Sequence, residues 1–166
     1  MEKYLLIPTD FTIESLNVVK SVLNDRPYDC KYHIVLLHGV QLSDSITDLL
    51  FYSKAKALET LSSRAFDEAC GVIKNKYASG IASMRVDLFN GATQAAFDGY
   101  LSGNRIDEIY IPGRYRLRKR SGKSVDILSY IRKCRKPVKL IDWNMGVILP
   151  EKGSLAEIFY NEATAS

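Results

Sequence analysis

Five compact apolar runs, separated by stretches with helical spacing, constrain this chain more than any other feature. They are "KYLLIP" (3–8), "YHIVLLHGV" (32–40), "SMRVDLF" (83–89), "DEIYIPG" (107–113) and "PVKLIDW" (137–143). The first two are apolar almost throughout, as strands buried on both faces are. The third alternates, with Met84, Val86 and Leu88 on one side. Behind Thr12, a capping residue, Leu16, Val19, Val22 and Leu23 form one helical stripe that runs to Asn24. Good helix formers fill 54–77, where Leu58, Leu61, Ala65, Ala69, Val72 and Ile73 recur at three- and four-residue steps. Further helices are predicted over 93–101 and over 124–134, the latter capped by Ser124 with Val125, Leu128 and Ile131 inward. Segment 41–53 reads as loop with room for a short helix. Parallel strands require a crossover, and strands that alternate with helices supply one each time. The expected fold is therefore α/β: a three-layer sandwich around a five-stranded parallel, Rossmann-like sheet.

With 166 residues, the chain is long enough for one domain with a true core. That domain is expected over 1–143, followed by a tail, 144–166. In the tail Ser154 caps a short helix with Leu155, Ile158 and Phe159 on one face, too short to stand alone in water and so expected to dock. Cys30, Cys70 and Cys134 are odd in number and lack C-x-x-C spacing, which argues against a disulfide framework or a zinc site. No run approaches the length of a membrane span, and the N-terminus lacks a signal peptide. A soluble, cytoplasmic protein with no membrane partner is expected.

Charge is unevenly placed. Residues 114–139 hold eleven of the 23 Lys and Arg residues and one of the 19 acids, Asp126. The densest part is the loop 114–123, with Arg114, Arg116, Arg118, Lys119, Arg120 and Lys123. In an open parallel sheet, ligands bind beyond the carboxyl ends of the strands, where strand order reverses. "PTDFT" (8–12), "HGV" (38–40) and the basic loop would gather there, and the positive field favours phosphates. "SGKS" (121–124) is not a P-loop: Leu117 stands where the motif needs its first glycine, and a Cβ hinders the tight phosphate wrap.

Other residues have plainer readings. Asp10, between a strand and a helix, suits a capping carboxylate. His33 and His38 fall on opposite faces of one strand and cannot share a metal. Cys134 is expected to be a partly buried thiol, and Ser124 a helix cap, with no histidine in its segment to make it a nucleophile. Tyr115 is the sole aromatic inside the basic run, which disfavours nucleic acid because stacking platforms are missing.

Over roughly residues 3–142 the chain resembles the universal stress proteins. "YLLIPTDFTIESLNVVKSVL" is similar to their first strand, Pro-Thr-Asp turn and first helix. "IVLLHGV" resembles their second strand, "LFNGATQAAFDGYL" their strand–Gly–helix segment, and "IDEIYIPGRYR…GKSVDILSYIRKCRKPVKLID" their closing strand–loop–helix–strand order. The resemblance implies strand order 3-2-1-4-5, an adenine nucleotide alpha hydrolase-like architecture and a homodimer formed through the last strand.

Some members of that family bind ATP and carry Gly-x2-Gly-x9-Gly-[Ser/Thr] after the fourth strand. Here Gly113 fits the first position and Arg116 replaces the second glycine. Strict counting puts Asp126 at the third position, with Gly122 or Lys123 followed by Ser124 as the alternative for a loop of different length. Asp10 matches the family's acidic residue near base and ribose, and Val40 its adenine-contacting position. The resemblance thus implies a nucleotide site at Pro8, Thr9, Asp10, Val40, Gly113, Arg116, Gly122, Lys123 and Ser124, flanked by an anion patch at Arg114, Arg118, Lys119 and Arg120. The cofactor would be ATP with Mg²⁺. A regulatory, non-catalytic stress-response role follows, since no coherent acid–base or nucleophile set is present. The alternative is an interaction module in which 114–123 binds nucleic acid or an acidic protein.

Overall fold

The computed structural model describes residues 1–144. Its strands are β1 (Glu2–Pro8), β2 (Lys31–Val40), β3 (Ile81–Phe89), β4 (Glu108–Pro112), β5 (Ser124–Val125) and β6 (Val138–Ile141). Its helices are α1 (Asn17–Asn24), entered by a 3-10 turn at Glu14–Leu16, then α2 (Ile46–Leu50), α3 (Lys54–Leu61), α4 (Arg64–Lys76), α5 (Gln94–Gly103) and α6 (Leu128–Lys133). The tail helix expected at Ser154 lies outside the described residues.

The sheet runs β3-β2-β1-β4-β6, all parallel, as the alternation of strands and helices and the resemblance together predicted. Central β1 pairs with β2 over its whole length, from Glu2 opposite Lys31 to Pro8 opposite Leu37. Its two-sided burial follows from alternating side chains: Leu5 and Ile7 enter one core, Leu6 the other. The first core packs under α1, α3 and α4 through Leu16, Val19, Leu61, Phe66 and Ile73. The second packs under α5 and α6 through Phe97, Leu101, Ile127 and Ile131. Each fully buried side chain of this kind contributes roughly 1.5–3 kcal/mol through water exclusion.

Two expectations need correction. The single helix over 54–77 is two helices, because Ser63 breaks into extended backbone and its hydroxyl caps α4 by accepting the Phe66 N–H. Ser124 does not cap a helix either. It lies in β5, which pairs antiparallel with the end of β2, Gly39 opposite Val125 and Val40 opposite Ser124. The basic segment therefore returns across the sheet top before α6 begins four residues later, at Leu128. Gly39 permits this crossing: a Cβ there would lie 2.5 Å from Ile127 Cγ2 and 2.6 Å from the Val125 carbonyl oxygen.

A cation-lined cleft as candidate functional site

Strand order reverses between β1 and β4, and the carboxyl ends of β1, β2 and β4 open there into a cavity of about 770 Å³. Pro8 and Thr9 form one wall, His38 and Gly39 another, and Gly113 to Lys119 a third. Val125 to Leu128 and Arg132 close it from the α6 side. Five cations line the cavity, Arg114, Arg116, Arg118, Lys119 and Arg132, against one acid, Asp126.

The floor beneath that loop is a saturated hydrogen-bond network. Asp10 is 1% exposed. Its Oδ1 accepts from the Thr12 backbone N–H and hydroxyl, and its Oδ2 accepts from the Tyr115 hydroxyl at 2.6 Å and the Arg118 N–H at 2.9 Å. A carboxylate has about four acceptor sites, and all are filled. Burial pushes the Asp10 carboxyl up, but these hydrogen bonds outweigh it and hold the group below the usual carboxylate range. Burial and the same carboxylate raise the Tyr115 phenol. The turn is tight: Phe11 takes a left-handed φ of 61° while its ring packs against His38 and Phe66.

His38 fastens the far end of the loop. Its Nδ1 lies 2.8 Å from the Thr9 carbonyl oxygen, which can only accept, so Nδ1 carries the proton. Nε2, 2.9 Å from Ser124 Oγ, then receives the serine hydroxyl. Ser124 Oγ in turn accepts the N–H groups of Arg120 and Ser121. With every bonding position filled, Ser124 anchors the loop instead of offering a free nucleophile. Burial holds the His38 pKa below its usual value, against the pull of the Thr9 carbonyl and the Asp10 charge.

The two functional groupings expected from sequence separate as follows. Pro8, Thr9, Gly113, Arg114, Arg116, Arg118, Lys119 and Ser124 meet in the cleft. Asp10 lies underneath, bound to the loop. Val40, Gly122 and Lys123 line a different, mainly apolar cavity of about 580 Å³ with Leu42, Leu49 and Leu61. Arg120 faces away and donates to the Leu61 carbonyl. Gly113 has an internal reason to be glycine, since a Cβ there would sit 2.7 Å from an Asp142 carboxylate oxygen that accepts the Arg114 N–H. The histidine partner of Ser124 was not visible from sequence, because it comes from a strand 86 residues away.

No protein-family model matches the sequence, and no curated protein matches it. Solved structures do. A hypothetical protein, PH0823, matches with TM-score 0.52 and 20% identity over 89% of this chain and 99% of that one. Hypothetical protein MJ0577, whose structure was used to assign its biochemical function, matches with TM-score 0.53 and 16% identity over 87% of this chain and 98% of that one. Universal stress protein UspA from Lactobacillus plantarum gives 0.49 and 15%, over 84% and 96%. The chain shares the parallel, Rossmann-like α/β fold of PH0823 and MJ0577.

Within that fold, the basic loop is the departure to explain. Its backbone is pinned by Asp10 and Ser124, while Arg114, Arg116, Lys119 and Arg132 form no ion pair among the described residues. Arg118 reaches Glu14 only at 4.0 Å. Tyr115 is 6% exposed and turned onto Asp10, so the loop presents no stacking face for nucleic-acid bases. Among the described residues no three His, Cys, Asp or Glu side chains are grouped to hold a metal, and no helix is long and apolar enough to cross a membrane.

Proposed function

We propose that this is a non-catalytic regulatory protein of the universal stress type, which binds ATP or another phosphorylated small molecule in the cleft at the strand carboxyl ends. The observation that carries this reading is the set of five cations around one cavity at the reversal of strand order, with their backbone held and their side chains unpaired or loosely paired. Guanidinium groups bind phosphate through paired, charge-assisted hydrogen bonds, and such pairs gain strength in a partly enclosed site. Mg²⁺, where it accompanies ATP, would arrive on the phosphates. The saturated Ser124 hydroxyl supports a binding role over a catalytic one.

Equilibrium titration with labelled ATP and Mg²⁺ tests the reading. Saturable binding below millimolar concentration is expected, and none at millimolar ATP would overturn the nucleotide. A homodimer through β6 belongs to the same proposal. That strand pairs with β4 alone among the described residues and leaves Leu140 67% exposed. Light scattering at micromolar concentration should give twice the chain mass, and a one-chain mass would remove the dimer.

A further inference from the structure

We infer that the cleft selects a compact polyanion, an ion carrying two or more linked phosphates, by charge alone, and does not read a base. This rests on the phosphorylated-ligand reading above and sharpens it.

Recognition of a base needs free donors and acceptors beside the phosphate site, and the buried side chains of the cleft floor offer none; its apolar lining, Leu37, Leu117, Val125, Ile127 and Leu128, is aliphatic and cannot tell one base from another. On its floor the Asp10 carboxylate is filled four times over, and Thr9 Oγ1 is held by the Phe11 N–H and Ser15 Oγ. His38 is bonded at both ring nitrogens, and Ser124 Oγ has three partners. The β2 side of the cleft is closed as well. Above Gly39, Val125 and Ile127 already press close enough that one methyl group would not fit. Val40, the residue that a base would be expected to touch, lies beyond β5 in the apolar cavity, which shares no lining residue with the cleft.

What remains free is positive charge. Arg114, Arg116, Lys119 and Arg132 converge on the cleft without carboxylate partners among the described residues, and Asp126 is the one acid on its lining. Each of these four side chains is exposed and can swing. A single phosphate would leave most of that charge uncompensated. A chain of phosphates matches it, and the mutual repulsion of the cations is relieved on binding.

Calorimetric titration of the full chain with sodium tripolyphosphate, pyrophosphate, orthophosphate, ATP, CTP and adenosine separates the possibilities. Tripolyphosphate, ATP and CTP should bind within about threefold of one another, orthophosphate about tenfold or more weaker, and adenosine not at all. Replacing Arg116→Ser together with Arg132→Ser should weaken tripolyphosphate by about a hundredfold, while Leu49→Ala in the apolar cavity leaves it unchanged. Both arginines are exposed, so circular dichroism should report an intact fold. If ATP binds tenfold or more tighter than CTP and tripolyphosphate, or if adenosine competes, base recognition is present. The inference then fails while the proposed function stands. If no phosphate compound binds, both fall.

Discussion

The turn after β1 and the crossover after β4 meet over the same cleft, yet they are built in opposite ways. Residues 8–12 form a short, buried turn whose side-chain polar atoms are all engaged: Thr9 and Asp10 are nearly inaccessible, and Phe11 takes a left-handed backbone with its ring in the core. Residues 113–127 form a long segment whose backbone is fixed at a few points, Gly113 and Arg114 on the β6 end, Arg118 on Asp10, Arg120 and Ser121 on Ser124. Its cationic side chains stay outside. The difference shows a division of labour. The short turn supplies rigidity, and the long one supplies exposed charge, which the proposed polyanion would meet.

Breaking the anchor should have the largest effect. Asp10→Ala leaves the Thr12 and Arg118 N–H groups without their acceptor and the Tyr115 hydroxyl with Thr12 Oγ1 alone, and should cost about 3 kcal/mol in urea denaturation, with faster amide exchange over 113–127. A loss below about 1 kcal/mol would mean that the two segments are independent. Gly39→Ala forces a methyl against Ile127 and the Val125 carbonyl and should cost about 2 kcal/mol by lifting β5 from β2. Tyr115→Phe removes one of the four hydrogen bonds to Asp10, and about 1 kcal/mol is expected from the same denaturation series.

Protonation sharpens the comparison from the other side. His38 has a folded pKa held below 6.5, so the unfolded chain takes up its proton first. The stabilisation is complete above about pH 6.5 and is lost as pH falls from there toward the lower folded value. A protonated Nε2 would also aim a donor at a serine oxygen that already accepts two. Stability followed from pH 7.5 to 5.5 should decline, and His38→Gln should flatten the decline. Asp87 sets a lower window. Burial raises its carboxyl, but hydrogen bonds from Lys54, Tyr100 and Arg85 bring it down to about 2. Its contribution persists above the ordinary value of 3.8 and disappears as pH drops through about 2. The smallest effect belongs to the free cations: Arg116→Ser should change stability by no more than about 0.5 kcal/mol, because it touches no structural partner.

Much of the architecture was legible because it follows from periodicity. The stripe Leu16, Val19, Val22 and Leu23 is buried as its spacing required, and the compact runs at 3–8 and 32–40 became the two central strands. The convergence of the β1 turn and the basic loop followed from strand order. What stayed hidden depends on contacts distant in sequence. Ser124 precedes a helical pattern and reads locally as a cap, but its hydroxyl is captured by His38 and its backbone by Val40. That two-residue strand also moved Val40 away from the cleft. Asp10 was readable as a capping carboxylate through its Thr12 contact, whereas its bonds to Tyr115 and Arg118 span more than a hundred residues and leave no local signature.

The polyanion cleft is tested most directly by an amide chemical-shift titration of the full chain with tripolyphosphate at low salt. Saturable shifts are expected at Gly113–Lys119, Ser124–Leu128 and Arg132, with Gln41–Ser43 and Ser121–Gly122 little changed. Shifts concentrated at Val40, Leu42 and Gly122, or no saturable shift anywhere, would contradict it.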